Sequence, residues 1–131
     1  MTRLLLVATG GALGAMARYG LGLWAGRSFP GAAWPVGTFG ANVVGGLLMG
    51  LLAGWLAFRG GAQGETIRLF AAVGVLGGFT TFSAFSLETA LMIERRQLAM
   101  AGGYALASVA LSVLALFLGL MVARRAFGAA L

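Results

Sequence analysis

Four long apolar runs, at roughly 4–25, 36–58, 69–92 and 98–123, take up most of the chain, and polar residues gather in the short stretches between them. Each run is close to the 20 or so apolar residues that an α-helix needs to cross the hydrocarbon core of a bilayer. The pattern predicts an all-α integral membrane protein with four transmembrane helices. The connections leave no room for a soluble domain, so residues 1–131 read as one transmembrane domain. The first run, "MTRLLLVATGGALGAMA", has the basic start, apolar stretch and small-residue end (Ala15-Met-Ala17) of a cleavable leader. Thr9, Gly10 and Gly11 interrupt it early, however, and apolar sequence resumes beyond Arg18 as far as Trp24. It reads as a retained first helix.

Within the runs, small and polar residues recur every fourth position, which places them on one helix face. Gly10, Gly14, Arg18, Gly22 and Gly26 step along the first span, and Thr38, Asn42, Gly46, Gly50 and Gly54 along the second. Such faces let helices approach closely in lipid, where no hydrophobic drive brings them together. Packing accounts for the glycines but not for Arg18, which either snorkels to the interface or lines a wet cavity. Asn42 needs a partner inside the membrane; the plain expectation is an interhelical hydrogen bond. In the fourth span Tyr104, Ser108 and Ser112 align over about 12 Å of helix axis. A serine in such a helix often bonds only its own i−4 carbonyl, but three aligned hydroxyls suggest a polar path. Trp24, Trp34 and Trp55 near span ends suit headgroup-level anchors. Pro35 suits the first turn of a helix.

The third span contains "GGFTTFSAFS", residues 77–86, in the middle of an otherwise apolar run. Gly74, Gly77 and Gly78 loosen the helix, and Thr80, Thr81 and Ser83 compete for its backbone bonds. A break is expected there, at Gly77 to Thr80. Freed backbone groups cannot face lipid, and broken helices at mid-depth commonly build ion sites. Phe82 and Phe85 fall on adjoining parts of one face. A phenyl edge is weakly positive, so edge-on rings offer an anion a site it can leave quickly. Hydroxyl and amide hydrogens would replace the lost water. The competing expectation is that Phe79, Phe82 and Phe85 only pack against neighbouring helices.

Composition narrows the chemistry. The chain has no His, Cys, Asp or Lys, and its acids are Glu65, Glu88 and Glu94. Metal sites built on Cys or His, nucleophile triads, Schiff bases and phosphate-loop lysines are all excluded, so no enzyme is expected. The net charge of +6 comes from nine arginines near span ends; it reads as membrane anchoring and not as nucleic-acid binding. With four spans, Arg3, Arg59, Arg68, Arg124 and Arg125 lie on one side, and Arg18, Arg27, Arg95 and Arg96 on the other. This near-balance fixes no orientation, so the chain can insert both ways round.

The stretches "GGALGAMARY", "GTFGANVVGG" and "GVLGGFTTFSAFS", in this order and at these spacings, resemble the bacterial fluoride channels, small four-span proteins that work as dimers. The resemblance covers essentially the whole chain. Ala84 departs from it, standing where a hydroxyl residue is common. The resemblance implies an antiparallel, dual-topology homodimer in the bacterial inner membrane that exports fluoride passively. It implies Phe82 and Phe85 as pore aromatics and Asn42 as a donor to the ion. Thr38, Thr81, Ser83, Tyr104, Ser108 and Ser112 would belong to the polar pore lining, with Arg18 in a wet vestibule. It further implies a structural sodium ion on the dimer axis, held by backbone carbonyls of Gly77 and Thr80, and no organic cofactor. Two rivals remain. A small proton-coupled exporter of cationic compounds would want a carboxylate in the first span, whereas here the first acid is Glu65, in a loop. Glu88 lies past the break, as a stray proton carrier, in a vestibule or bonded to Tyr104. A non-conducting accessory subunit is the second rival.

Overall fold

The computed structural model describes residues 1–128, so the last three residues of the single domain read over 1–131 lie outside the described range. The described residues are almost wholly helical and contain four stretches long and apolar enough to cross a membrane: Thr2–Ser28, Val36–Arg59, Gly61–Glu94 and Leu98–Phe127. The first two are α1 (Thr2–Ser28) and α2 (Val36–Arg59). Pro35 stands at the cap, one residue ahead of the first turn where the sequence suggested it. The third span is a composite. A short turn at Gly61–Gln63 and α3 (Gly64–Ile67) lead into a π-wound segment, Arg68–Leu76. Then come α4 (Gly77–Phe79), a break, and α5 (Phe82–Glu94). The fourth span is α6 (Leu98–Phe127).

The bundle is two parallel pairs of spans, each joined through its small residues. Alternate spans run the same way, so the first can lie along the third and the second along the fourth. Gly10 abuts Gly74 and Val75, while Gly78 abuts Gly11 and Ala15. On the other pair Gly46 lies over Ser112, Gly50 over Leu116 and Gly54 over Ala123. Gly119 returns the contact between Leu47 and Leu51. A side chain at Gly50 or Gly119 would strike the backbone of the facing helix. These close approaches stand in for the hydrophobic drive that lipid does not supply.

The interior is correspondingly built of small residues, and the exterior is apolar. Leu4, Leu5, Leu106, Leu114 and Phe117 are exposed, whereas Ala41, Tyr104, Ser108 and Ala123 are buried. The largest fully buried side chain is Tyr104, packed with Met92, Ala101 and the rings of Trp34, Phe39 and Phe85. Trp34 thus faces this cluster, with its ring 5.7 Å from Phe39 and 5.9 Å from Tyr104. Thr9, on the exposed face of α1, returns its hydroxyl to the Leu5 carbonyl at 2.7 Å, which satisfies it without a neighbour. The α5–α6 turn closes with Arg96 N–H on Ile93 O at 2.9 Å and Gln97 N–H on Met92 O at 2.9 Å. This six-to-one closure places Arg96 at φ 61°, a position that usually takes glycine.

Candidate functional site: the break in the third span

The break is narrower than the sequence suggested, and one residue later. Gly77 and Gly78 remain helical within α4. Thr80 (φ −93°, ψ 152°) and Thr81 (φ −152°, ψ 125°) are the extended residues. The reason is side-chain chemistry more than glycine freedom. β-Branched threonine favours extended backbone, and the Thr81 hydroxyl accepts the Ala84 N–H at 3.3 Å, capping α5.

Most of the polar groups at the break have partners, the Gly77 carbonyl being the exception. Thr80 still donates its N–H to the Leu76 carbonyl at 3.0 Å, and its hydroxyl donates to the same oxygen at 2.9 Å. The Thr81 N–H, which an unbroken helix would give to Gly77, goes instead to Asn42 Oδ1 at 3.3 Å. The Gly78 carbonyl receives Arg18 Nε at 3.3 Å. Arg18 therefore reaches inward to the break and does not snorkel away. Asn42 makes the interhelical bond expected of it, and its amide nitrogen is left for another acceptor.

Past the break, aromatic rings form a row. Phe82 and Phe85 lie 5.5 Å apart, tilted by 39°, and Phe85 lies 5.4 Å from Tyr104. Phe82 is 77% exposed in the single chain, a large ring at mid-span with nothing covering it. Beside the rings lies a cavity of about 380 Å³ between α2, the break, α5 and α6. Asn42, Thr80, Thr81, Ser108 and Ser112 are among its lining residues, as are Phe82 and Phe85. The remaining wall is apolar, from Met49, Val109, Val113 and Leu116. The Ser108 and Ser112 hydroxyls are buried and have no hydrogen-bond partner. Both residues line the cavity, but their hydroxyl oxygens are shielded from it as the side chains stand, and each leaves a hydrogen for an acceptor reached by side-chain rotation.

Not every residue singled out from the sequence meets here. Ser83 is exposed and its hydroxyl pairs with Thr81 Oγ1 at 3.0 Å, outside the cavity lining. Thr38 lies one turn from Asn42 but bonds Glu88 Oε1 at 2.7 Å. Tyr104 donates to Glu88 Oε2, also at 2.7 Å. Of the positions left open for Glu88, the bond to Tyr104 is present, and Glu88 also faces a second cavity near the α1–α2 connection. The shared link from Thr38 was missed, because no local signal ties residues fifty positions apart. Gly77 is exposed, outside the cavity. Its carbonyl has lost its helical donor to Asn42. Thr80 stands in extended backbone outside both helices. Among the described residues no group of His, Cys, Asp or Glu could hold a metal. Carbonyl oxygens suit a hard monovalent cation, but two per chain fall short of a full shell.

The fold and this site together define a class: a four-span membrane protein whose third span is interrupted beside a ring-flanked cavity that a few polar side chains line. The family model described as "CrcB-like protein, Camphor Resistance (CrcB)" matches residues 5–120. Curated relatives include the "Fluoride-specific ion channel FluC" of Caulobacter sp. (strain K31), 66% identical over 127 residues, covering 97% of this chain and 98% of the relative. Proteins of the same name from Phenylobacterium zucineum (strain HLK1) and Caulobacter vibrioides (strain NA1000 / CB15N) are 65% and 60% identical, each covering 97% of this chain and 99% of theirs. The chain belongs to the CrcB-like family, and its four spans make it a multi-pass membrane protein.

Proposed function

We propose that this chain is a fluoride-selective ion channel. Near-full-length identity of 60% to 66% to relatives named as fluoride-specific channels supports the ion. The observation that carries the mechanism is the pair of unpartnered buried hydroxyls, Ser108 and Ser112, on residues that line one cavity together with Phe82 and Phe85. Fluoride is small and strongly hydrated. To enter a dry span it must exchange water for donors, and the two hydroxyls and the free amide hydrogens of Asn42 are the donors on offer. The phenyl edges add weak positive potential without a full cation that would hold the ion. Chloride is larger and gains less from donors set for a small ion.

Transport is passive. The membrane potential is worth about 2.3 kcal/mol per charge per 100 mV, so an inside-negative cell drives the anion out and is protected from its toxicity. The working unit is an antiparallel homodimer in the bacterial inner membrane. The near-balanced arginines permit both insertions, and the exposed Phe82 and Gly77 give the second copy a surface to cover. Two copies double the carbonyls of Gly77 and Thr80, which would hold a structural sodium ion on the axis. That ion would supply charge to fix the two breaks against each other, while each chain's Asn42, Arg18 and Thr81 hold its own break in shape. Thr38 and Tyr104, through Glu88, brace the polar lining from behind.

The test is growth. A bacterial strain lacking its own fluoride exporter, expressing this chain, should grow in acidic medium at fluoride concentrations that stop the parent strain. Expression in the membrane with no gain in tolerance would defeat the proposal.

A further inference from the structure

Gly45 stands on α2 three residues after Asn42, on the same helix face, and is buried against the break. The Thr80 methyl group fills the place its side chain would take. A Cβ at Gly45 would overlap Thr80 Cγ2, while Phe79 Cδ1 and Thr80 Cβ would lie at an ordinary 3.6 Å and 3.7 Å. The conflict is therefore with a single methyl group, and that group is fixed. Threonine is stiff at χ1, and the Thr80 hydroxyl is committed to the Leu76 carbonyl at 2.9 Å. A rotation that cleared Gly45 would give up that bond.

What holds Thr80 also holds its neighbour. Thr81, the second extended residue, gives its N–H to Asn42 Oδ1 at 3.3 Å, near the long limit for such a bond. Thus α2 grips the break at two adjacent points, by a hydrogen bond from Asn42 and by a socket at Gly45. The bond also aims the Asn42 amide: with Oδ1 taken by Thr81, its N–H groups are left for the cavity that Asn42, Gly45, Thr80 and Thr81 all line. A side chain at Gly45 would push Thr80 away by on the order of 1 Å to reach carbon–carbon contact distance. A bond already at 3.3 Å has no slack for that shift.

We propose that Gly45 is a positioning residue for conduction: its missing side chain seats the Thr80 methyl, which keeps the Thr81 N–H on Asn42 and the Asn42 amide aimed at the ion. Gly45 itself supplies no group to the ion. This role rests on the fluoride-channel reading, but the two fail separately, because wild-type efflux tests the channel and the variants test Gly45.

The test moves one methyl group across the contact. Gly45→Ala adds it on α2; Thr80→Ser removes Cγ2 from the break and keeps the hydroxyl, leaving the two Cβ atoms 3.7 Å apart in the double variant. Fluoride efflux from liposomes is measured for wild type, both single variants and the double variant, as a rate per folded protein. A variant that had lost stability alone would keep its rate on that scale. Gly45→Ala should slow efflux roughly tenfold or more, and adding Thr80→Ser should win back roughly threefold or more of the loss. Gly45→Ala conducting at the wild-type rate, or a double variant no faster than Gly45→Ala, would overturn the proposal. If Gly45→Ala fails to fold, the double variant is compared with Thr80→Ser alone. Alanine at position 45 should then be neutral or helpful, and a double variant slower than Thr80→Ser would overturn the role. Absence of fluoride efflux from folded wild type would overturn the channel reading, and this role with it.

Discussion

Replacing Ser112 with alanine should separate stability from function, moving them in opposite directions. The Ser112 hydroxyl is buried and unpartnered, so nothing in the folded chain is lost when it is removed. Burying an unsatisfied hydroxyl costs about 1–3 kcal/mol by protein mutational measures. Ser112→Ala should therefore melt at or above the wild-type temperature in detergent. Transport should respond the other way. A hydrogen bond to a charged group is worth about 1.5–3 kcal/mol, and each 1.4 kcal/mol or so is tenfold in rate. Loss of one donor to fluoride should slow efflux by roughly one to two orders of magnitude. The assay pairs thermal unfolding with efflux from liposomes, using the same preparation for both. A variant that conducts at the wild-type rate, or that melts well below wild type, would show that this hydroxyl serves packing and not the ion.

Three further expectations concern the frame around the site. Thr81→Ala removes the cap on Ala84 N–H and should cost about 1 kcal/mol, whereas Thr81→Ser should restore it; thermal unfolding of the two distinguishes the cap from simple loss of a methyl group. Gly50→Ala would drive a Cβ into the Leu116 carbonyl, with Leu120 N at 3.0 Å, and should cost about 1–3 kcal/mol through overpacking. Gly20→Ala, where nothing lies within 4 Å, is its control and should melt as wild type. Arg96→Gly relieves a left-handed backbone position and should raise stability by about 1 kcal/mol. A lower melting temperature would mean that the arginine side chain outweighs its backbone strain.

What the sequence made legible follows from physics that is local along the chain. Spans announce themselves by length and apolarity, and the glycine faces of α1 and α2 by four-residue spacing. The spans and the α2 face survive in the structure, with Gly46, Gly50 and Gly54 set against α6, whereas on α1 only Gly10 and Gly14 pack against the third span and a Cβ at Gly22 or Gly26 meets nothing within 4 Å. The existence of the break was also legible, but its position was not. Glycines looked like the weak points, yet Gly77 and Gly78 stay helical, because Gly78 lies tight against Gly11 and Ala15. The chain opens at Thr80 and Thr81, where side chains can replace the helix bonds. The π winding of Arg68–Leu76 had no sequence signal that hydropathy could reveal. The Thr38–Glu88–Tyr104 link joins three spans, and Ser83 turns aside to Thr81. Such partners depend on how the helices are rotated, which periodicity alone leaves undetermined.

The central claim, that the cavity flanked by Phe82 and Phe85 is a selective fluoride path, is tested most directly by ion efflux. Purified protein, shown to be folded, is placed in liposomes loaded with potassium fluoride or potassium chloride, and release is started with a potassium ionophore. The account predicts fast fluoride release, negligible chloride release, and loss of the fluoride signal in Phe82→Leu and Phe85→Leu. Fluoride release that persists in both folded variants, or equal release of the two anions by wild type, would contradict it.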